Sequence, residues 1–290
     1  MASIYCPYSD REWPLEATTD EHIFPLSLGG NDAFSIRVHG KTNSEVGSRI
    51  DGELAKEFVV NSRRARHDAR GHSGKEPTIK VRATNARTGA PLSLRWGKGV
   101  EVYDPIAGKR IRAATKFNFR FDIDVDMRLR FLAKAFLSGG YHVYQDLFRS
   151  FVEHRHPRLL MTRAPRDMSE AEHTSIRMRA MHWWNDDLPG RAADLFRLQN
   201  DICSVIDASF VVFKPGRDML EIFGGVLGAY LGMLAVPADT SRFPRDGDHD
   251  VGHAVVIKAG QVRRVSLRVL MDELQPSIEA LWLARETGGA

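Results

Sequence analysis

Apolar side chains recur at Val46, Ile50, Leu54 and Phe58. A spacing of four places them on one face of a helix. Asn43 or Ser44 supplies its N-cap, and Gly47 and Gly52 weaken it. Upstream, residues 22–28 (HIFPLSL) and 33–39 (AFSIRVH) read as two strands joined across Gly29-Gly30. Residues 61–77 are polar, basic and end at Pro77, which predicts a linker or an exposed helix end. Residues 78–84, 92–96 and 100–104 alternate apolar and polar side chains and predict three strands. Residues 127–140 and 141–156 predict a helical pair broken at Gly139-Gly140. Strand-like runs fill 204–270, and a last helix covers about 267–286. The pattern is α+β: a small N-terminal unit over 1–60, a basic, β-rich stretch over 61–124, and a larger mixed α+β region over 125–290.

Composition narrows the class. Hydrophobic residues make up 43% of the 290 and charged residues 27%, enough apolar content for a sizeable core. The longest apolar run, 219–236, carries Glu221 and is broken by glycines, so it reads as paired strands and no membrane partner is expected. Cys6 and Cys203 lie far apart, which argues against a disulfide scaffold. No basic-then-apolar leader pattern opens the chain, so a cytoplasmic location is expected.

Charge is concentrated. From Asn61 to Phe121 there are fifteen Lys and Arg against four acids, a local +11 in a chain of formal charge +4, leaving −7 for the remainder. Such asymmetry predicts a polyanion-binding face. Arg63, Arg64, Arg66, Arg70 and Lys75, which directly follow the N-terminal unit, are the candidate phosphate contacts. Six engaged side chains would lower affinity by about 10³-fold or more across physiological salt concentrations.

The candidate chemistry lies upstream, in EHIFPLSLGG (21–30) and TNSEVGSRID (42–51). An acid–His pair, a Pro, a Leu-Gly-Gly and an Asn at a helix start followed by Ile-Asp resemble the HNH (ββα-metal) endonucleases, in their zinc-knuckle version with a degenerate knuckle. The resemblance covers about residues 1–60. It implies an N-terminal ββα-metal module that hydrolyses phosphodiester bonds of DNA, with His22 as the general base that activates water. A neutral imidazole suits that task near neutral pH. By the same resemblance Glu21 and Asn43 hold one divalent metal. Oxygen ligands of this kind favour Mg²⁺ or Mn²⁺.

Two positions depart from the family. Its structural zinc uses two Cys pairs where this chain has Cys6, Ser9, His39 and Thr42, a set too poor in zinc ligands to close a tetrahedral site. Structural zinc is therefore not expected, and the knuckle would be held by packing around Tyr5, Tyr8, Phe24 and Phe34. A second Asn found at many such sites is replaced by Phe34. Asn31 and Asp32 are nearby substitutes, and His39 is either a third ligand, a phosphate contact or a surface side chain. Asp51 reads as a helix-surface or linker-anchoring residue.

Other constellations carry less. Asp122, Asp124 and Asp126 alternate on a strand face, with Asp126 placed to cap the following helix. The 246–253 segment (DGDHDVGH) lacks calcium-loop spacing, and the adjacent Trp183 and Trp184 are ordinary packing residues. Cys203 reads as a buried, inert thiol. Two alternatives stay open: a non-catalytic nucleic-acid-binding protein that retains the fold, and a ribonuclease. Restriction, phage defence and mobile elements are the settings the resemblance implies. A homodimer would be one route to double-strand cutting, and a regulatory partner is expected of a nuclease that must spare its host.

Overall fold

The computed structural model describes residues 2–97, 99–111, 116–175, 179–181, 190–245 and 251–287. β1 (Ser3–Cys6) and β2 (Arg11–Pro14) pair antiparallel. β3 (Thr18–His22) and β4 (Ser35–His39) form a second antiparallel pair, with Glu21 opposite Ile36 and His22 opposite Ser35. The first strand lies before the predicted 22–28 run and shares only His22 with it. Pro25 has no N–H to give a ladder, and Leu26–Leu28 coils into a 3-10 turn that ends at Gly29 with φ 75°. Gly30 is required for a different reason: a Cβ there would sit 1.5 Å from the Phe24 carbonyl oxygen.

The helix predicted by Val46, Ile50 and Leu54 forms in pieces: α1 (Gly40–Val46), a π-turn over Gly47–Asp51, and α2 (Gly52–Leu54). All three apolar side chains are buried. Phe58 belongs to a new helix, α3 (Phe58–Arg66), capped by the Glu57 carboxylate through the Val60 N–H. Of the two readings of residues 61–77, a linker or a helix end, its first part is the end of this helix.

The basic stretch contains the three predicted strands and a fourth: β5 (Ile79–Asn85), β6 (Pro91–Trp96), β7 (Val100–Tyr103) and β8 (Phe117–Phe119). They form an antiparallel sheet in the order β7-β6-β5-β8. Ala83, Leu92 and Leu94 are the buried centre of its own small core. Phe58 packs against Trp96, Phe119 and Phe121 and joins this sheet to α3.

α4 (Val125–Tyr144) is the central helix and is buried on nearly every side. Asp124, not Asp126, caps it by accepting from the Met127 N–H at 2.9 Å, and Asp122 lies outside any strand. Gly139 and Gly140 do not break it. A Cβ on Gly140 would meet the Phe148 ring at 2.3 Å, so the glycine permits close packing inside a continuous helix. α5 (Asp146–Phe151), α6 (Arg155–Thr162), α7 (Glu170–Ser175), β9 (Arg179–Met181) and α8 (Arg191–Ile206) follow. β10 (Ser209–Pro215), β11 (Met219–Val226), β12 (Ala229–Pro237), β13 (His253–Lys258) and β14 (Gln261–Ser266) then join β9 in a six-stranded antiparallel sheet, ordered β14-β13-β10-β11-β12-β9. α9 (Leu267–Glu286) ends the described chain, with Ser266 as its cap.

Strand alternation divides the large sheet's two faces. Val211, Phe213, Leu220 and Ile222 pack with α4 and with Ile23, Phe24, Phe34 and Val38 in one continuous core. Phe210, Val212, Phe223 and Tyr230 face α8 and α9. Residues of the first 60 therefore share their main core with the C-terminal region. Among the described residues no helix is long and apolar enough to cross a membrane. Trp183, Trp184 and residues 246–250 lie outside the described residues.

One buried ion pair fastens these layers. Arg128 on α4, 1% exposed, donates to both Glu57 oxygens at 2.7 and 3.0 Å and to the Tyr230 carbonyl at 2.9 Å. Burial raises the Glu57 carboxyl against the pull of Arg128. Arg128→Ala would strand that carboxyl in the interior and is expected to cost about 3–5 kcal/mol of stability. Urea denaturation of the variant beside the wild type measures it.

Candidate functional site

Neighbouring residues on a strand point to opposite faces, and this separates Glu21 from His22. His22 ends β3 and is partly exposed, its side chain 23% accessible. Its Nε2 lies 2.7 Å from Oδ1 of Asp32, which is highly exposed. Asp32 follows the Gly29-Gly30 turn that brings the chain back towards β4. With the proton on Nε2 donated to Asp32, the Nδ1 lone pair is free to accept one. The His72 ring lies 6.2 Å from that of His22.

Glu21 points the other way and is buried. Its Oε1 lies 2.7 Å from Lys134 Nζ and accepts from the Tyr8 hydroxyl at 3.1 Å. Lys134 reaches in from α4, fully buried, and also donates to Asp51 Oδ2 at 2.7 Å and to the His22 carbonyl at 3.2 Å. Three N–H groups thus meet three oxygens. Asp51 is correspondingly a buried ion-pair partner, not a helix-surface residue. Two carboxyls face one ammonium. Burial, with Glu21 alongside, pushes the Asp51 carboxyl up to about 7 despite Lys134. Burial alone would lower the Lys134 ammonium, but Asp51 and Glu21 outweigh it and raise it. The Tyr8 hydroxyl is driven well above its ordinary value by burial and by Glu21.

Asn43 lies on α1, where its Nδ2 donates to the Asp20 carbonyl at 2.9 Å and to Thr19 Oγ1 at 3.1 Å. It ties the helix to β3. The Glu21–Asn43 metal pair does not fit this geometry, because the Glu21 oxygen that would meet a cation already meets an ammonium. Among the described residues no three His, Cys, Asp or Glu side chains converge on a metal site. The remaining auxiliary candidates have other partners. Asn31 donates to the Gly260 carbonyl at 2.8 Å. His39 stacks on Trp13 at 3.7 Å and shares a hydrogen bond with Thr42.

The candidate phosphate contacts are also redistributed. Arg63 and Arg66 face Asp207 at 3.5 and 3.8 Å, beside His67 at 3.1 Å. Arg64 donates to the carbonyls of Ser27 and Ala55 at 2.7 and 2.9 Å. Arg70 pairs with Asp68 at 2.9 Å. Lys75 is exposed. Four of the five thus have partners within the fold.

Sequence inspection passed over Lys134, Ser209 and His72. Lys134 carried a signal, a lone lysine inside the apolar run FLAKAFL. Ser209 donates to the Leu28 carbonyl and accepts from the Leu227 N–H, docking the Gly29-Gly30 turn on the large sheet. Nothing in the local pattern marked Ser209 or His72. No protein-family model, no curated protein and no solved structure matches the chain.

The Asp51 proton sets a sign for pH dependence. The unfolded chain releases it near the ordinary carboxylate value of about 3.9, while the folded chain holds it up to about 7. The native state binds more protons between those values, so this contribution to stability falls as pH rises through that window. Urea titrations at pH 5, 6 and 7 are expected to show the fall, up to about 1.4 kcal/mol per pH unit. Asp51→Asn should flatten it.

Proposed function

We propose that the chain is a nuclease that cleaves phosphodiester bonds, with His22 as general base and Asp32 as the residue that orients it. The observation that carries this reading is the 2.7 Å contact between His22 Nε2 and Asp32 at the accessible end of β3. A base must reach both water and substrate, and a carboxylate on one ring nitrogen fixes the tautomer that leaves the other free. His22 takes a proton from the attacking water. The water oxygen forms a bond to phosphorus as the bond to the leaving oxygen breaks. The resemblance to HNH endonucleases favours DNA as substrate and a divalent ion as the electrostatic partner. No step is assigned to an ion on Glu21, whose carboxylate supports β3 through Lys134.

That engagement of Glu21 favours one further reading, a nucleic-acid-binding protein that keeps the fold without its catalysis. A plasmid-nicking assay separates the two. Supercoiled DNA is incubated with the protein and Mg²⁺, Mn²⁺ or EDTA. Nicking is expected, with His22→Ala slower by about 10²–10⁴-fold and Asp32→Asn intermediate. Wild-type protein that binds the plasmid but nicks it in none of these conditions would favour the binding protein.

A further inference from the structure

The sheet β7-β6-β5-β8 has one apolar face and one basic face. Its register sets Lys80 opposite Arg95 and Arg82 opposite Ser93. On the next strand Arg95 meets Glu101 and Ser93 meets Tyr103, and on the far side Thr84 meets Asn118. Lys80, Arg82 and Arg95 are exposed. Two like charges directly opposite each other destabilise a sheet. The register offers Glu101 as a counter-charge, but its carboxylate already holds Arg110 at 3.1 Å and the Tyr103 hydroxyl at 2.9 Å. Among the described residues, Lys80, Arg82 and Arg95 make no ion pair. They therefore differ from the arginines of α3, which Asp207 and backbone carbonyls occupy.

We infer that this outer face is the surface that binds the sugar–phosphate backbone of a nucleic-acid duplex, in place of the α3 arginines. Lys80 and Arg82 stand roughly 6.8 Å apart along β5 by strand geometry. Arginine forks match phosphate oxygens, and Thr84, Ser93 and Asn118 add neutral hydrogen-bonding groups of the kind that contact phosphate and sugar. The aromatic side chains of this sheet other than Tyr103 pack on or beside its apolar face, Trp96 and Phe119 against Phe58. Tyr103 is set on the basic face opposite Ser93, with its hydroxyl held by Glu101, and one ring does not make the run of stacking side chains that single-strand recognition through successive bases uses. Of apolar side chains the register puts Pro91 on this face, opposite Thr84, and one proline is too little apolar surface for insertion into a lipid surface. Binding of this kind is independent of base sequence and strongly salt-dependent.

This inference deepens the nuclease reading by naming the surface that holds its substrate, and it can be tested apart from cleavage. Fluorescence anisotropy of a labelled 20-base-pair DNA duplex would be followed across a KCl series with full-length protein. Arg82→Gln/Arg95→Gln is expected to reduce the salt slope by about 1.8 and to weaken binding roughly 30-fold at 0.15 M salt. Lys80→Gln alone should reduce the slope by about 0.9. Arg217→Gln/Arg245→Gln, which removes two exposed charges elsewhere, should leave both unchanged. His22→Ala should bind as the wild type does. Salt-dependent binding lost in the sheet variants, with no nicking by the wild type, would overturn the nuclease and leave this surface standing. Nicking by the wild type with undiminished binding by the sheet variants would overturn the surface. Equal losses in the sheet and control variants, or tighter binding to phosphatidylserine vesicles than to the duplex, would overturn it as well.

Discussion

The position of His22 depends on an ammonium group that no solvent touches. Lys134 Nζ binds Glu21, Asp51 and the His22 carbonyl at once. It therefore joins the end of β3, the π-turn before α2 and the centre of α4 at a single atom. An ammonium in the interior is tolerable only when its hydrogen-bonding capacity is met by oppositely charged partners. The requirement also runs in the other direction: without Lys134, two carboxyls would face each other across a dry core. Such an arrangement adds little net stability over an apolar one, but it admits few alternative geometries. The strand end that carries the candidate base is placed by charge pairing as much as by packing.

A second cation on the same helix works in parallel. Arg128 lies six residues before Lys134 and reaches Glu57 and the Tyr230 carbonyl. Two buried cations on α4 thus hold carboxylates that precede it in the chain, while the apolar remainder of the helix packs against the large sheet. The N-terminal strands and the six-stranded sheet are built around one shared helix, so the first 60 residues and the C-terminal region bury their apolar side chains in one continuous core.

Much of the fold was legible because period and turn chemistry agree with burial. The final helix, the strands over 78–104 and the buried Val46, Ile50 and Leu54 follow directly from spacing. Misreadings arose where tertiary contact overrode a local rule. Gly139-Gly140 looks like a break, but the glycines admit the Phe148 ring. The apolar run after His22 looks like strand, but Pro25 turns it. At the site, the resemblance put Glu21 and Asn43 on one metal, whereas Lys134, far along the chain on α4, already meets the Glu21 carboxylate. The basic stretch was visible as a total charge. Its division into paired arginines on α3 and, among the described residues, unpaired ones on the sheet was not, because Asp207 lies about 140 residues further along. No spacing rule reaches that far.

The contact between Ser209 and the Leu28 carbonyl has a consequence for the order in which the chain matures. The turn beside His22 is docked by a residue 181 positions later, and the same serine hydroxyl is itself fixed by Leu227. Contacts of such long sequence separation form late, because the loop must close before they are rewarded. During synthesis from the N-terminus, the chain must be made at least as far as Leu227 before the strand end carrying His22 has these neighbours. A nascent chain stalled before that point has made the histidine but lacks the frame that aims it.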